Sequence, residues 1–170
     1  MHKKIVKNSQ EIEDRILELA KLLNKDFDKT SIDLISMNHA AKFLVEDLMK
    51  HLTIDVRLQN LNFENYKVQN NSGEVQISQD LEFPIFDRHV ILADGMLISG
   101  KTHFYVCNYL KQRLPKSLSI LCVGYKPELI THKIPNINSL FSFNDEWIEG
   151  YGIGSEKHCG QKYLIDLKKY

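Results

Sequence analysis

Apolar residues return every third or fourth position between Ser9 and Phe27, at Ile12, Ile16, Leu19, Ala20, Leu22 and Leu23. That spacing predicts an amphipathic helix, with Ser9 as its N-cap and acid in its first turns. Ile32 to Met37 is a short apolar run suited to a buried strand. Helical spacing resumes over 40–51 through Ala41, Leu44, Val45 and Leu48, and residues 54–63 alternate as a strand with Val56, Leu58 and Leu61 inward. The chain turns polar over 65–79, where Asn70-Asn71-Ser72-Gly73 marks a turn or mobile loop and Glu74 to Ile77 an edge strand. Val90 to Ala93, apolar throughout, predicts a central parallel strand; a helix follows over 103–113 and another buried strand over 119–123. Residues 147–151 and 163–167 supply the last two strands. Strands alternating with helices predict an α/β domain with a mostly parallel central sheet, here one domain over residues 1–170 with no repeat or linker.

Composition narrows the classes. Formal charge is zero, which argues against nonspecific nucleic-acid binding, since that needs a basic surface. No stretch approaches the roughly 18 apolar residues of a membrane span, and the first residues lack an apolar signal core. Cys107, Cys122 and Cys159 match no zinc pattern and read as reduced thiols. A cytoplasmic location is the expectation. The histidines show no metal-ligand spacing; His89, His103, His132 and His158 read as surface or core residues, and Cys107 as packing.

The segment Asp94 to Thr102 carries the chemistry. A buried strand ends, a loop with Gly95 and Gly100 follows, and a helix begins, so free backbone N–H groups and the positive end of a helix converge where an anion would sit. Ser99 and Thr102 add hydroxyl donors, and Gly100 permits close approach of the backbone. Gly95 to Thr102 also satisfies the short nucleotide-triphosphatase loop pattern, but no later strand ends in a convincing metal-binding acid.

The string Val90-Ile91-Leu92-Ala93-Asp94-Gly95-Met96-Leu97-Ile98-Ser99-Gly100-Lys101-Thr102 resembles the diphosphoribose-binding motif of type I phosphoribosyltransferases. Trp147-Ile148-Glu149-Gly150-Tyr151-Gly152-Ile153 is similar to the base-binding strand of the hypoxanthine-guanine branch, and Ser72-Gly73-Glu74-Val75-Gln76-Ile77 to part of its mobile loop. The resemblance runs from about residue 9 to the end of the chain. It implies the type I fold, a mostly parallel central sheet flanked by helices with a small hood from the chain termini. It implies transfer of ribose 5-phosphate from phosphoribosyl diphosphate to hypoxanthine or guanine (purine salvage), with Mg²⁺, in a homo-oligomer. It places Asp94 at the ribose hydroxyls and Ile98, Ser99, Gly100, Lys101 and Thr102 around the 5′-phosphate. Lys126, Trp147 and Ile148 fall at the purine, Met37, Asn38 and His39 at the pyrophosphate loop, and Tyr66 in the mobile loop. Lysine donates and cannot accept, which suits a 6-oxopurine.

The chain departs from the pattern at four places. Gly95 stands where a second acid is usual, Ile98 where an Asp base is usual, and Gly154 where a late metal-binding Asp is usual. The pyrophosphate loop reads Met37-Asn38-His39-Ala40. Isoleucine cannot carry a proton. The alternative expectation is therefore a weakened or inactive relative that binds a nucleotide or phosphoribosyl diphosphate in a regulatory role; a transferase for another base is a third.

Overall fold

The structure, a computed structural model, describes residues 4–66 and 74–167. Helix α1 (Ser9–Asp26) buries Ile12, Ile16, Ala20 and Leu23 as one stripe, with Leu22 left on the exposed side. Its N-cap is Asn8, not Ser9. Asn8 Oδ1 accepts from the Glu11 N–H at 2.9 Å while Glu11 Oε2 takes the Asn8 N–H at 2.9 Å, and this reciprocal box needs the acid three residues after the cap.

Strands β2 (Ile32–Met37), β3 (Val56–Tyr66), β4 (Glu74–Gln79), β5 (His89–Leu97), β6 (Ser117–Tyr125) and β7 (Ile137–Ser142) form one sheet in the order β4-β3-β2-β5-β6-β7. Every pairing is parallel except the β3–β4 hairpin. The side chains of β5 alternate between two cores. Ile91 and Ala93 join the layer of α1 and α2 (Lys42–Met49), and Val90 and Leu92 join the layer of α3 (Lys101–Lys111). Burial on both faces accounts for the unbroken apolar run. In β3 the expected alternation is only partly met. Leu61 is buried, but Leu58 stands 45% exposed, because Gln59 shares the inward face with Leu61.

Three short strands make a separate antiparallel sheet, β1-β9-β8, from β1 (Lys4–Lys7), β8 (Ile148–Glu149) and β9 (Leu164–Asp166). Both ends of the described chain thus build a small hood beside the main sheet. The strand expected over 147–151 shortens to two residues because Gly150, Tyr151 and Gly152 all take positive φ (107°, 51° and 89°), which no strand can follow. Among the described residues no helix is long and apolar enough to cross a membrane.

From β2 the chain moves outward through β3 and β4, then returns to β5 on the other side and continues through β6 and β7. The crevice beyond the carboxyl ends of β2 and β5 is therefore the switch point, where open α/β sheets take their ligands.

Candidate active site

The loop between β5 and α3 is only Ile98-Ser99-Gly100. Gly100 has φ 75°, a left-handed turn that a side chain resists, and caps α3 without a side-chain acceptor. Ser99 Oγ lies 3.3 Å from the Lys101 N–H. The first-turn N–H groups of Thr102 and His103 have no intrahelical acceptor and point out of the helix end, as an anion site requires. Gly95 sits inside β5, so Gly95 to Gly100 is not one continuous loop, and the triphosphatase pattern fails on geometry.

Above this turn lies a cavity of about 300 Å³ that gathers Asp94, Ile98, Ser99, Gly100, Lys101 and Thr102 with Asn38 across the crevice. Ile98 is 47% exposed, an apolar side chain held in a polar cradle. Asn38 has φ 49° and is tied to β3: its Oδ1 accepts from the Phe63 N–H at 3.0 Å. Its neighbours differ. Met37 is buried in the α3-side core, in register with Leu61, so its side chain belongs to packing rather than to the loop expected there. His39 is exposed and outside the cavity lining.

Among the described residues, Asp94 is the only carboxylate that lines the cavity. Its Oδ1 accepts from the Gly95 N–H at 2.7 Å. Its Oδ2 lies 2.9 Å from His103 Nε2, an ion-pair distance, although the ring N–H is not aligned for a hydrogen bond and Nε2 has no other partner. His103 thus lines the cavity, which the reading of it as an ordinary surface or core histidine missed. The signal was present: His103 shares the stripe of Val106, Cys107 and Leu110 on the buried face of α3, a polar residue where an apolar one is cheaper.

The residues expected at the base lie at the next strand ends. The Lys126 N–H donates to Leu97 O at 2.9 Å, and Lys126 Nζ to Glu146 O at 2.7 Å; the side chain is 9% exposed. Trp147 follows directly, with its backbone N–H on Asp166 Oδ1 at 2.9 Å, and the residue is 66% exposed. Ile148 is buried and pairs with Asp166. These three do not line the 300 Å³ cavity; Lys126 bonds to Leu97, which lies between the lining residues Met96 and Ile98, and to Glu146, which precedes Trp147. Tyr66 ends β3 opposite Glu74, and most of the expected mobile loop, residues 67–73, lies outside the described residues.

Packing enforces both glycines that stand where an acid is usual in the family pattern. A Cβ on Gly95 would lie 2.9 Å from Ile153 Cγ1 and 3.1 Å from both Ala40 Cβ and Ala40 O. A Cβ on Gly154 would lie 2.5 Å from Glu149 Cγ. Glu149, missed by sequence reasoning, is buried with its Oε2 2.6 Å from Ser155 Oγ and 2.7 Å from His158 Nδ1. The Ser155 hydrogen bond, with help from His158, holds its carboxyl below the usual carboxylate range in spite of burial. Among the described residues no group of three or more His, Cys, Asp or Glu is placed to hold a metal ion. Burial pushes the Cys107 thiol up to about 12, which fits packing rather than nucleophilic chemistry.

A left-handed glycine turn at a helix start with a carboxylate beside it, at the switch point of a parallel sheet, is the arrangement of an anion-binding site in an α/β protein. The family model for the phosphoribosyl transferase domain matches residues 2–156. The chain belongs to the phosphoribosyltransferase family, and its sequence is of the hypoxanthine-guanine kind. It is 32% identical over 154 residues to the hypoxanthine phosphoribosyltransferase of Buchnera aphidicola, covering 88% of this chain and 86% of that one. It is 25% identical to the hypoxanthine-guanine phosphoribosyltransferase of Bacillus subtilis, over 97% of this chain and 93% of that one. Among solved structures, a hypoxanthine-guanine phosphoribosyltransferase of Bacillus anthracis superposes with a TM-score of 0.90 at 23% identity, covering 97% and 98% of the two chains. A hypoxanthine phosphoribosyltransferase of Staphylococcus aureus gives 0.91, also at 23%, covering 97% and 91%. Both share the fold.

Proposed function

We propose that this chain, working as a single domain over residues 1–170, transfers ribose 5-phosphate from phosphoribosyl diphosphate to hypoxanthine or guanine and releases pyrophosphate. The observation that carries the reading is the shared cavity of Asp94 and the uncapped start of α3 at the switch point. The amides from Gly100 onward, with Ser99 and Thr102, hold the 5′-phosphate. Lys101 adds charge, and Ile98 flanks the phosphate as a wall. Asp94 accepts from the ribose hydroxyls. Asn38, with His39 and the backbone after Met37, borders the diphosphate. Lys126 donates to the 6-oxygen of the purine, Trp147 stacks on its face, Ile148 adds a backbone contact, and Tyr66 belongs to the loop that closes over the site. Mg²⁺ enters as the counter-ion of the diphosphate, part of the substrate, consistent with a cation that keeps its waters and phosphate ligands.

In the reaction a purine ring nitrogen forms the bond to ribose C1 as the bond from C1 to the diphosphate oxygen breaks, that electron pair leaves with pyrophosphate, and the proton of the ring nitrogen passes to water. The protein contributes positioning and electrostatics. The base proton has no acceptor at Ile98, which favours slow turnover as the second reading, a relative that chiefly binds nucleotide. The protein acts in the cytoplasm as a homo-oligomer. The test incubates the purified chain with phosphoribosyl diphosphate, Mg²⁺ and hypoxanthine, guanine or adenine, and follows nucleotide formation by chromatography. The reading expects product from the two 6-oxopurines and little from adenine; product from adenine alone would contradict it.

A further inference from the structure

Asp94 must be held in one orientation to serve a sugar, and its own strand supplies only half of what holds it. The Gly95 N–H fixes Oδ1 at 2.7 Å. The second oxygen has His103 Nε2 at 2.9 Å, reaching it from the first turn of α3. No neighbouring acid competes, since a side chain at Gly95 would collide with Ile153 and Ala40. His103 is itself 4% exposed, and its Nε2 has no other partner. A buried imidazole costs more than leucine at the same place unless its polar atom is used. Either the neutral Nε2–H tautomer or the imidazolium presents a donor to a carboxylate.

We infer that His103 is a positioning residue for Asp94, fixing the carboxylate for the ribose hydroxyls and tying the sugar contact to the helix whose start receives the phosphate. The inference rests on the transferase reading above. Its consequence is mechanical: the ribose and phosphate subsites move as one piece, because Asp94 belongs to β5 and His103 to α3. Three substitutions separate this role from packing. Glutamine places an amide near Nε2, asparagine places one near Nδ1, and leucine fills the volume without a donor.

The experiment measures guanosine monophosphate affinity by calorimetry, KM and kcat with phosphoribosyl diphosphate, and the melting temperature, for wild type, H103Q, H103N and H103L. H103N and H103L are expected to weaken binding and raise KM about tenfold, the effect of removing one close polar partner from a carboxylate, with kcat little changed. H103Q is expected to stay close to wild type. In the D94N background, H103L should add no further loss, since the two act as a unit. If H103L melts too early to assay, the Gln and Asn variants, both polar, decide the matter. H103L binding like wild type, or H103Q as weak as H103N, would overturn the inference while wild-type turnover leaves the transferase reading standing. A wild-type protein that binds neither ligand would sink that reading and this inference with it.

Discussion

Placing alanine at Gly95 tests whether the hood is pressed onto the floor of the site as tightly as the structure has it. Gly95 lies in β5 without positive φ, so the backbone tolerates any residue and only space opposes the change. The added Cβ would meet Ile153 Cγ1 at 2.9 Å and Ala40 at 3.1 Å. Ile153 cannot simply swing away, because it is 8% exposed within the α1–α2 core and Cγ1 is close to its backbone. Overpacking of this kind costs about 1–3 kcal/mol. At roughly 2–4 °C per kcal/mol for a chain of this size, the melting temperature of G95A should fall by about 2–12 °C. I153A alone should cost about 2–4 kcal/mol through the cavity it leaves. The double variant should cost less than the two together by about 1 kcal/mol, since removing Cγ1 relieves part of the clash. Urea denaturation followed by fluorescence gives all four corners of the cycle. A neutral G95A, or strictly additive losses, would show that Ile153 does not press on β5 and that an acid at 95 is excluded by something other than packing.

The remaining predictions concern charge and chemistry. Asp33 is fully buried, with Oδ1 accepting from Arg57 Nε at 3.0 Å and Arg88 Nε at 2.8 Å; D33N should cost about 3 kcal/mol by uncoupling two arginines from one buried acid, and a urea midpoint equal to wild type would refute this. The Glu149 carboxyl is held below its ordinary value of 4.5, so it contributes stability that is present above that pH and lost as pH falls through the folded value. E149Q should therefore lose part of the wild type's acid sensitivity below about pH 4.5, and parallel stability curves for the two proteins would contradict the assignment. Ile98 takes the position of a proton acceptor, so I98D should raise kcat with guanine without changing guanosine monophosphate affinity more than about threefold; unchanged turnover would remove the slow-turnover reading.

What the sequence revealed was what is local along the chain. The stripe of α1, the apolar run of β2 and the β5–loop–α3 unit are each specified by neighbours within a dozen residues, so their periodicity shows directly. The β7 strand, Ile-Asn-Ser-Leu-Phe-Ser, buries only Leu140 and owes its strand form to parallel pairing with β6, which no local pattern announces. The cap at Asn8 was within reach, since Glu11 stands three residues later. Site residues divide the same way. The turn between β5 and α3 is contiguous and was legible, whereas the approach of His103 to Asp94, and of Ile153 and Ala40 to Gly95, exists only once helix, loop and hood are folded together. Met37 misled because a strand end and the loop after it look alike in sequence, and only the register with Leu61 assigns its side chain to the core.

The central claim is that the start of α3 receives a phosphate while Asp94 receives its ribose. Backbone amide resonances recorded during titration with guanosine monophosphate test it most directly. The account predicts the largest shifts at Ser99, Gly100, Lys101, Thr102 and His103, with Gly95 following through its bond to Asp94. Shifts confined to the groove between β4 and α3, around Val75, Tyr105 and Tyr109, or no shifts at all, would contradict it.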